Sequence, residues 1–187
     1  FISSLKAADT TKGVKLDNDD LTDAFTGRLL RSITFNNDGT KMFVSGLTGG
    51  KIAQFTLGTG FDLSSTITPG DSIVSGSNGA INNPYSVRFN DDGTKMFFIV
   101  GGINTLREFT LSTAFDPTTV SAEGSSNIID YILPDSDASG FSMGFAFNDD
   151  GTKLFVADTT NSEIDEYSLS VGFDLSSTKS YLRSLDV

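Results

Sequence analysis

The chain has no cysteine, no histidine and no tryptophan, and only four prolines in 187 residues. Without cysteine there is neither a disulfide nor a thiolate metal site, so packing alone must hold the fold. Without histidine the side chain that titrates near neutral pH is missing. Most zinc sites and most general acid–base catalysis at pH 7 go with it, and no thiol nucleophile exists. Positive charge is scarce: 13 Lys and Arg stand against 24 Asp and Glu, a net charge of −11. Such a chain repels phosphate backbones and anionic lipid, so neither nucleic acid nor membrane insertion is expected. No apolar run approaches the ~20 residues of a membrane-spanning helix, and no segment carries a convincing helical period. Starting at Phe1 without Met, the chain reads as a processed protein or an excerpt of a longer one.

What is present is repetition. "FNNDGTKMFV" from Phe35 returns as "FNDDGTKMFF" from Phe89 and "FNDDGTKLFV" from Phe147. A second landmark, "GFDLSST" from Gly60, returns as "AFDPTTV" from Ala114 and "GFDLSST" from Gly172. Between them lie "IAQFTL" from Ile52, "LREFTL" from Leu106 and "IDEYSL" from Ile164. Three copies of one unit of ~50 residues follow. With 37% hydrophobic and 20% charged residues, the composition is that of a globular protein with a real core.

Within a unit every pattern is β. In the second copy, strands are expected at Ser86 to Phe89, Thr94 to Val100, Leu106 to Leu111 and Ser125 to Leu133. The "NDDG" segments fall between the first two strands of each copy. There Asp38, Asp92 and Asp150 suit local backbone hydrogen bonds, while Gly39, Gly93 and Gly151 suit the φ > 0 position that closes a hairpin. Clustered Asp also suits calcium. The same pair between two strands three times over favours structural turns, so no cofactor is expected and Ca2+ is not favoured. Asp62, Asp116 and Asp174, each two residues before a Ser or Thr, suit Asx turns into the fourth strand.

Four strands in ~50 residues make the blade of a propeller. The fold class is all-β: a β-propeller of four-stranded antiparallel blades, three in this chain plus an orphan N-terminal outer strand. The boundaries are 1–24 for that strand ("FISSLKA") and an acidic connector, 25–80 for blade 1, 81–137 for blade 2 and 138–187 for blade 3. Near-continuous apolar second strands such as "KMFFIV" suit a sheet covered on both faces. Phe35, Phe89 and Phe147, then Phe43, Phe97 and Phe155, then Phe55, Phe109 and Tyr167 are the expected filling between blades. Propellers close with about four to eight blades, so three leave two apolar faces open. Further blades or further copies of the chain are therefore the expected first partners, with the Phe1 to Ala7 strand pairing across the seam.

The pattern "S-x-x-F-N-x-D-G-T-K-x-F-V … I-x-x-F-x-L-S-x-x-F-D" resembles the lactonase-type and "YVTN" propellers in its first two strands. More closely, it resembles the "AFNDDGTKMFV…EYTLSTAFD" repeat proteins of marine bacteria and their phages, over about Thr26 to Val187. The resemblance implies a propeller that binds, scaffolds or sits on a surface, with enzymes in some branches. The acidic, Asn or His sets at the channel mouth of those enzymes have no match in this chain.

The turns linking strands two and three, and those linking blades, differ among the copies and share one face of the expected propeller. Dissimilar loops on a repeated scaffold are where ligand contacts belong. The candidates are Asn82, Asn83, Tyr85, Asn104, Asp135, Asp137, Asp158 and Asn161. Two strings tempt otherwise. "GFSMG" from Gly140 fits G-x-S-x-G, but Ser142 enters an innermost strand and no His is present to act as base. "DNDDLTD", with Asp17, Asp19 and Asp23, lacks the central Gly and terminal Glu of an EF-hand loop and reads as a solvated connector.

The expected function is a non-catalytic structural or interaction propeller of a surface, secreted or virion assembly, with other proteins or surface glycans as partners. The location is correspondingly extracellular, at a cell surface or in a virion. The alternative is a metal-dependent lactonase-like or glycan-cleaving enzyme.

Overall fold

The computed structural model describes residues 30–46, 51–73, 84–101, 105–120, 128–132, 142–159 and 161–187. Among these, twelve strands form three antiparallel sheets. The first is β1 (Leu30–Phe35), β2 (Lys41–Gly46), β3 (Lys51–Leu57) and β4 (Ile67–Ile73). The second is β5 (Pro84–Phe89), β6 (Lys95–Val100), β7 (Thr105–Thr110) and β8 (Ile128–Ile132). The third is β9 (Ser142–Phe147), β10 (Lys153–Asp158), β11 (Glu163–Leu169) and β12 (Lys179–Asp186). Each sheet is a simple meander in chain order, and the first strands lie side by side, β1 against β5 and β5 against β9. Blades with the first strand innermost define a β-propeller, here an arc of three blades.

Strand bounds differ slightly from the sequence reading, for local reasons. Thr94 belongs to the turn, since its N–H donates to Asp92 Oδ1 at 2.9 Å. Leu111 leaves β7 to form a single bridge with Val120. A 3₁₀ turn, Pro117–Thr119, follows from Asp116 accepting the Thr118 N–H with Pro at the first position. The "FISSLKA" and "DNDDLTD" segments lie outside the described residues.

Two of the three buried clusters lie between blades, and a third, Ala53, Phe55 and Leu57 with Phe35, Met42, Val44 and Ile67, lies within the first sheet. Phe43 and Ile52 of the first sheet join Met96, Phe98, Val100 and Phe109 of the second. Phe97, Ile99 and Leu106, on the other face of the second sheet, join Leu154, Val156, Tyr167 and Leu175 of the third. Met96 to Val100 are accordingly all buried. In β10, which among the described residues has a neighbouring blade on one side, burial alternates: Leu154, Val156 and Asp158 are covered, while Lys153, Phe155 and Ala157 are not fully so. The unbroken apolar run thus reports two-sided burial in β6, while the similar run in β10 is covered on one side.

Candidate functional site

On one face the two recurring turns of each repeat clasp each other. The Asn36, Asn90 and Asn148 carbonyls accept the N–H of Gly39, Gly93 and Gly151 at 3.0–3.1 Å, and these glycines have φ of 71°, 71° and 68°. The Asp38, Asp92 and Asp150 carboxylates each accept the N–H and hydroxyl of the Thr two residues on, at 2.9 Å and 2.5–2.6 Å. Those bonds, the hydroxyl's first, hold the three carboxyls below their ordinary value of 3.8. Asp62 and Asp174 are lowered in the same way by Ser64 and Ser176. Each "FD" turn then returns over the first. The N–H of Phe61, Phe115 and Phe173 donates to the carbonyl of Gly39, Gly93 and Gly151. A Cβ on any of those glycines would lie 2.3 Å from the corresponding ring.

A polar link also crosses from blade to blade. Lys41 Nζ donates to the Phe115 carbonyl at 3.1 Å, and Lys95 Nζ to the Phe173 carbonyl at 2.6 Å. Lys95 simultaneously pairs with Glu108 Oε1 at 2.7 Å, and Glu108 Oε2 accepts the Leu175 N–H at 2.7 Å. The buried Glu108 carboxylate therefore has a partner for each oxygen, as a charge at 2% exposure requires.

Of the sequence-predicted ligand positions, Tyr85, Asp158 and Asn161 are among the described residues. Asn82, Asn83, Asn104, Asp135 and Asp137 lie outside the described residues. Asp158 and Asn161 are brought together, Asn161 Nδ2 donating to Asp158 Oδ2 at 2.9 Å. Tyr85 does not join them in any described contact; its half-buried ring packs on the core between blades 2 and 3 with the Arg31 guanidinium 4.7 Å from its centre. Two residues not anticipated from the sequence complete a cluster. Carboxylate oxygens of Asp158, Glu163 and Asp165 all lie within 4.8 Å of one another, with Asp158 and Asp165 buried. Asp158 is paired with Glu163 across β10 and β11, and Asp165 follows two residues on, so all three share the blade face turned to blade 2. Three oxygen donors at this spacing suit a hard divalent cation. A signal did exist: Asp158 stands where the other copies have Gly46 and Val100, and Asp165 where they have Ala53 and Arg107.

Ser142 is the first residue of β9, in register with Asp158, and is not at a strand-to-helix turn. On the turn face, a cleft of about 180 Å3 between blades 2 and 3 is lined by Arg88, Asp91, Asn148 and Asp149 with Phe89, Phe147 and Phe173.

No family model and no curated protein matches the chain. Solved structures do. A candidate 6-phosphogluconolactonase from Bacteroides uniformis is 13% identical with a TM-score of 0.57, over 86% of this chain and 42% of that one. A protein from Lactobacillus plantarum is 12% identical, TM-score 0.55, over 85% and 42%. The periplasmic gluconolactonase of Pseudomonas aeruginosa is 13% identical, TM-score 0.51, over 86% and 41%. At such identity the likeness concerns the fold, and this chain spans about two fifths of the length of these proteins.

Proposed function

We propose that the chain is a non-catalytic interaction propeller, a structural element of a surface, secreted or virion assembly whose open blade 3 face is a protein-binding surface. One observation carries the reading. Ile52 and Leu106 are 1% and 0% exposed beneath the next blade, whereas Ile164, their counterpart on the last blade, is 37% exposed. On the first blade only the turn residue Leu63 is exposed in this way, at 54% against 1% for Leu175, while Ala53, Phe55 and Leu57 are buried. Surfaces built like the interior, yet uncovered, are surfaces for a partner. Sedimentation velocity at rising micromolar concentration tests this. Reversible association that Ile164→Asp weakens is expected, and a concentration-independent monomer would refute it. Surface glycans remain the ligand class for the variable face.

The Asp158, Glu163 and Asp165 cluster favours a second reading, a metal-assisted lactonase-like enzyme, and two structural neighbours carry gluconolactonase names. Hydrolysis of a gluconolactone in the presence of calcium, magnesium or manganese decides between them. No rate above background is expected; turnover abolished by Asp165→Asn would install the enzyme instead.

A further inference from the structure

In a chain so rich in carboxylates, Arg88 forms no ion pair among the described residues. It stands opposite Phe97 in the sheet, and the Phe97 ring packs against blade 3, so Arg88 lies on the face of blade 2 turned to blade 3. It is half-buried there, and Nη1 donates to the Val87 carbonyl at 2.7 Å. Burial pushes the guanidinium below its ordinary value, and no carboxylate acts against that shift. The other N–H groups of the fork are left to water or a ligand.

The place that Arg88 faces is open for a reason the copies display side by side. Between blades 1 and 2, Asn37 Nδ2 donates to the Asp91 carbonyl at 2.6 Å and ties the two turns together. Between blades 2 and 3 the same positions are held by Asp91 and Asp149. A carboxylate has no hydrogen to give a carbonyl, so the tie is not made. What stands there is the cleft of about 180 Å3, with Arg88, Asp91 and Asp149 in its wall beside Phe89, Phe147 and Phe173. The three rings are held in place by others. Phe147 lies 4.8 Å from buried Phe97 and 5.2 Å from Phe173, and Phe89 lies 4.5 Å from buried Phe43.

The cleft therefore offers donors at Arg88, acceptors at Asp91 and Asp149, and rigid ring surfaces. A simple anion suits the guanidinium but is repelled by both carboxylates and by the net charge of −11. A simple cation suits the carboxylates and is repelled by Arg88. Hydroxyl groups donate and accept at once and carry no charge, so they satisfy both walls. The electron-rich faces of the rings attract C–H groups. We infer that this cleft binds one neutral pyranose unit, its hydroxyls accepting from Arg88 and donating to Asp91 and Asp149, its C–H face against the phenylalanines. The volume is below that of a drug-sized pocket and suits a single sugar ring. The site is on the turn face, apart from the variable loops, and does not rest on the protein-binding reading of blade 3.

Saturation-transfer NMR of the 187-residue chain with the methyl glycosides of glucose, galactose and mannose tests it. Saturable binding of at least one, with a millimolar Kd, is expected for a ligand of so few atoms. Two variants copy residues that the first repeat already carries. Arg88→Thr, as at Thr34, removes the donor wall, and Asp91→Asn, as at Asn37, supplies the amide that ties the turns and shuts the cleft. Each is expected to weaken binding at least about tenfold. Circular dichroism and the melting curve establish that each variant is folded. No saturable binding of any glycoside up to about 100 mM overturns the site, as does binding that either folded variant leaves intact. Sodium acetate or L-alanine binding more tightly than every glycoside overturns the sugar in favour of an anion or a zwitterion. The protein-binding reading stands or falls separately, by sedimentation.

Discussion

A phenylalanine at positive φ is uncommon, because its Cβ crowds the neighbouring carbonyl. Phe61, Phe115 and Phe173 nevertheless have φ of 58°, 52° and 54°. The compensation is visible in the clasp: each spends its N–H on the glycine carbonyl of the first turn and lays its ring on that glycine. The glycine is thus fixed twice, by its own φ and by the ring. Gly93→Val should cost roughly 2–5 kcal/mol, combining strain at φ > 0 with a displaced ring. Phe115→Ala in the same chain should remove the ring part, so the double variant should lose less than the sum of the singles in urea unfolding. Strict additivity would mean that ring and glycine are uncoupled.

The turn carboxylates give an acid signature at the same scale. Their folded values are lowered by hydroxyl and amide donors, so they add stability at pH values above the ordinary 3.8. That contribution is lost as pH falls through the lower folded values. Urea midpoints should accordingly fall below about pH 4. In Thr94→Val the Asp92 carboxylate loses its leading donor and its value moves back up, so the acid loss should be shallower than in wild type. An identical acid slope would remove the hydroxyl from the account.

At the scale of the strand, identical sequence roles have different consequences by position in the arc. Leu106→Ala deletes a fully buried side chain between blades 2 and 3 and should cost about 2–5 kcal/mol. Ile164→Ala, at the equivalent place on the open face, should cost about 1 kcal/mol or less in the monomer. Equal losses under dilute, monomeric conditions would contradict the open face. The strands and their blade grouping were legible from the repeated Asp-Gly turns and the spacing of the landmarks, because both are local signals. Burial was legible only where both faces are covered. "KLFV" matches "KMFF" in pattern, yet Phe155 is half-buried while Phe97 is buried, since the difference lies in the neighbouring blade. The Glu108 to Leu175 bond escaped for the same reason: its partners are 67 residues apart and meet only through blade packing. Asp158 and Asn161 were singled out as members of a variable loop. Glu163 and Asp165 were not, because seeing them requires the register of β10 against β11.

For the molecule as a whole, charge opposes the association that the open face of blade 3 favours. Each chain carries −11, so two copies repel over the range of the ionic atmosphere. The apolar contact offered by Ile164 and its neighbours acts only at contact distance, and salt reaches it less. The long-range repulsion is screened more than the short-range attraction. Association should therefore tighten as NaCl rises from ~20 mM, where the Debye length exceeds 20 Å, to ~300 mM, where it is under 6 Å. Sedimentation equilibrium at the two salt concentrations reads the change directly. An association that loosened with salt would mean that opposite surface charges draw the copies together, and the apolar face of blade 3 would no longer explain the contact.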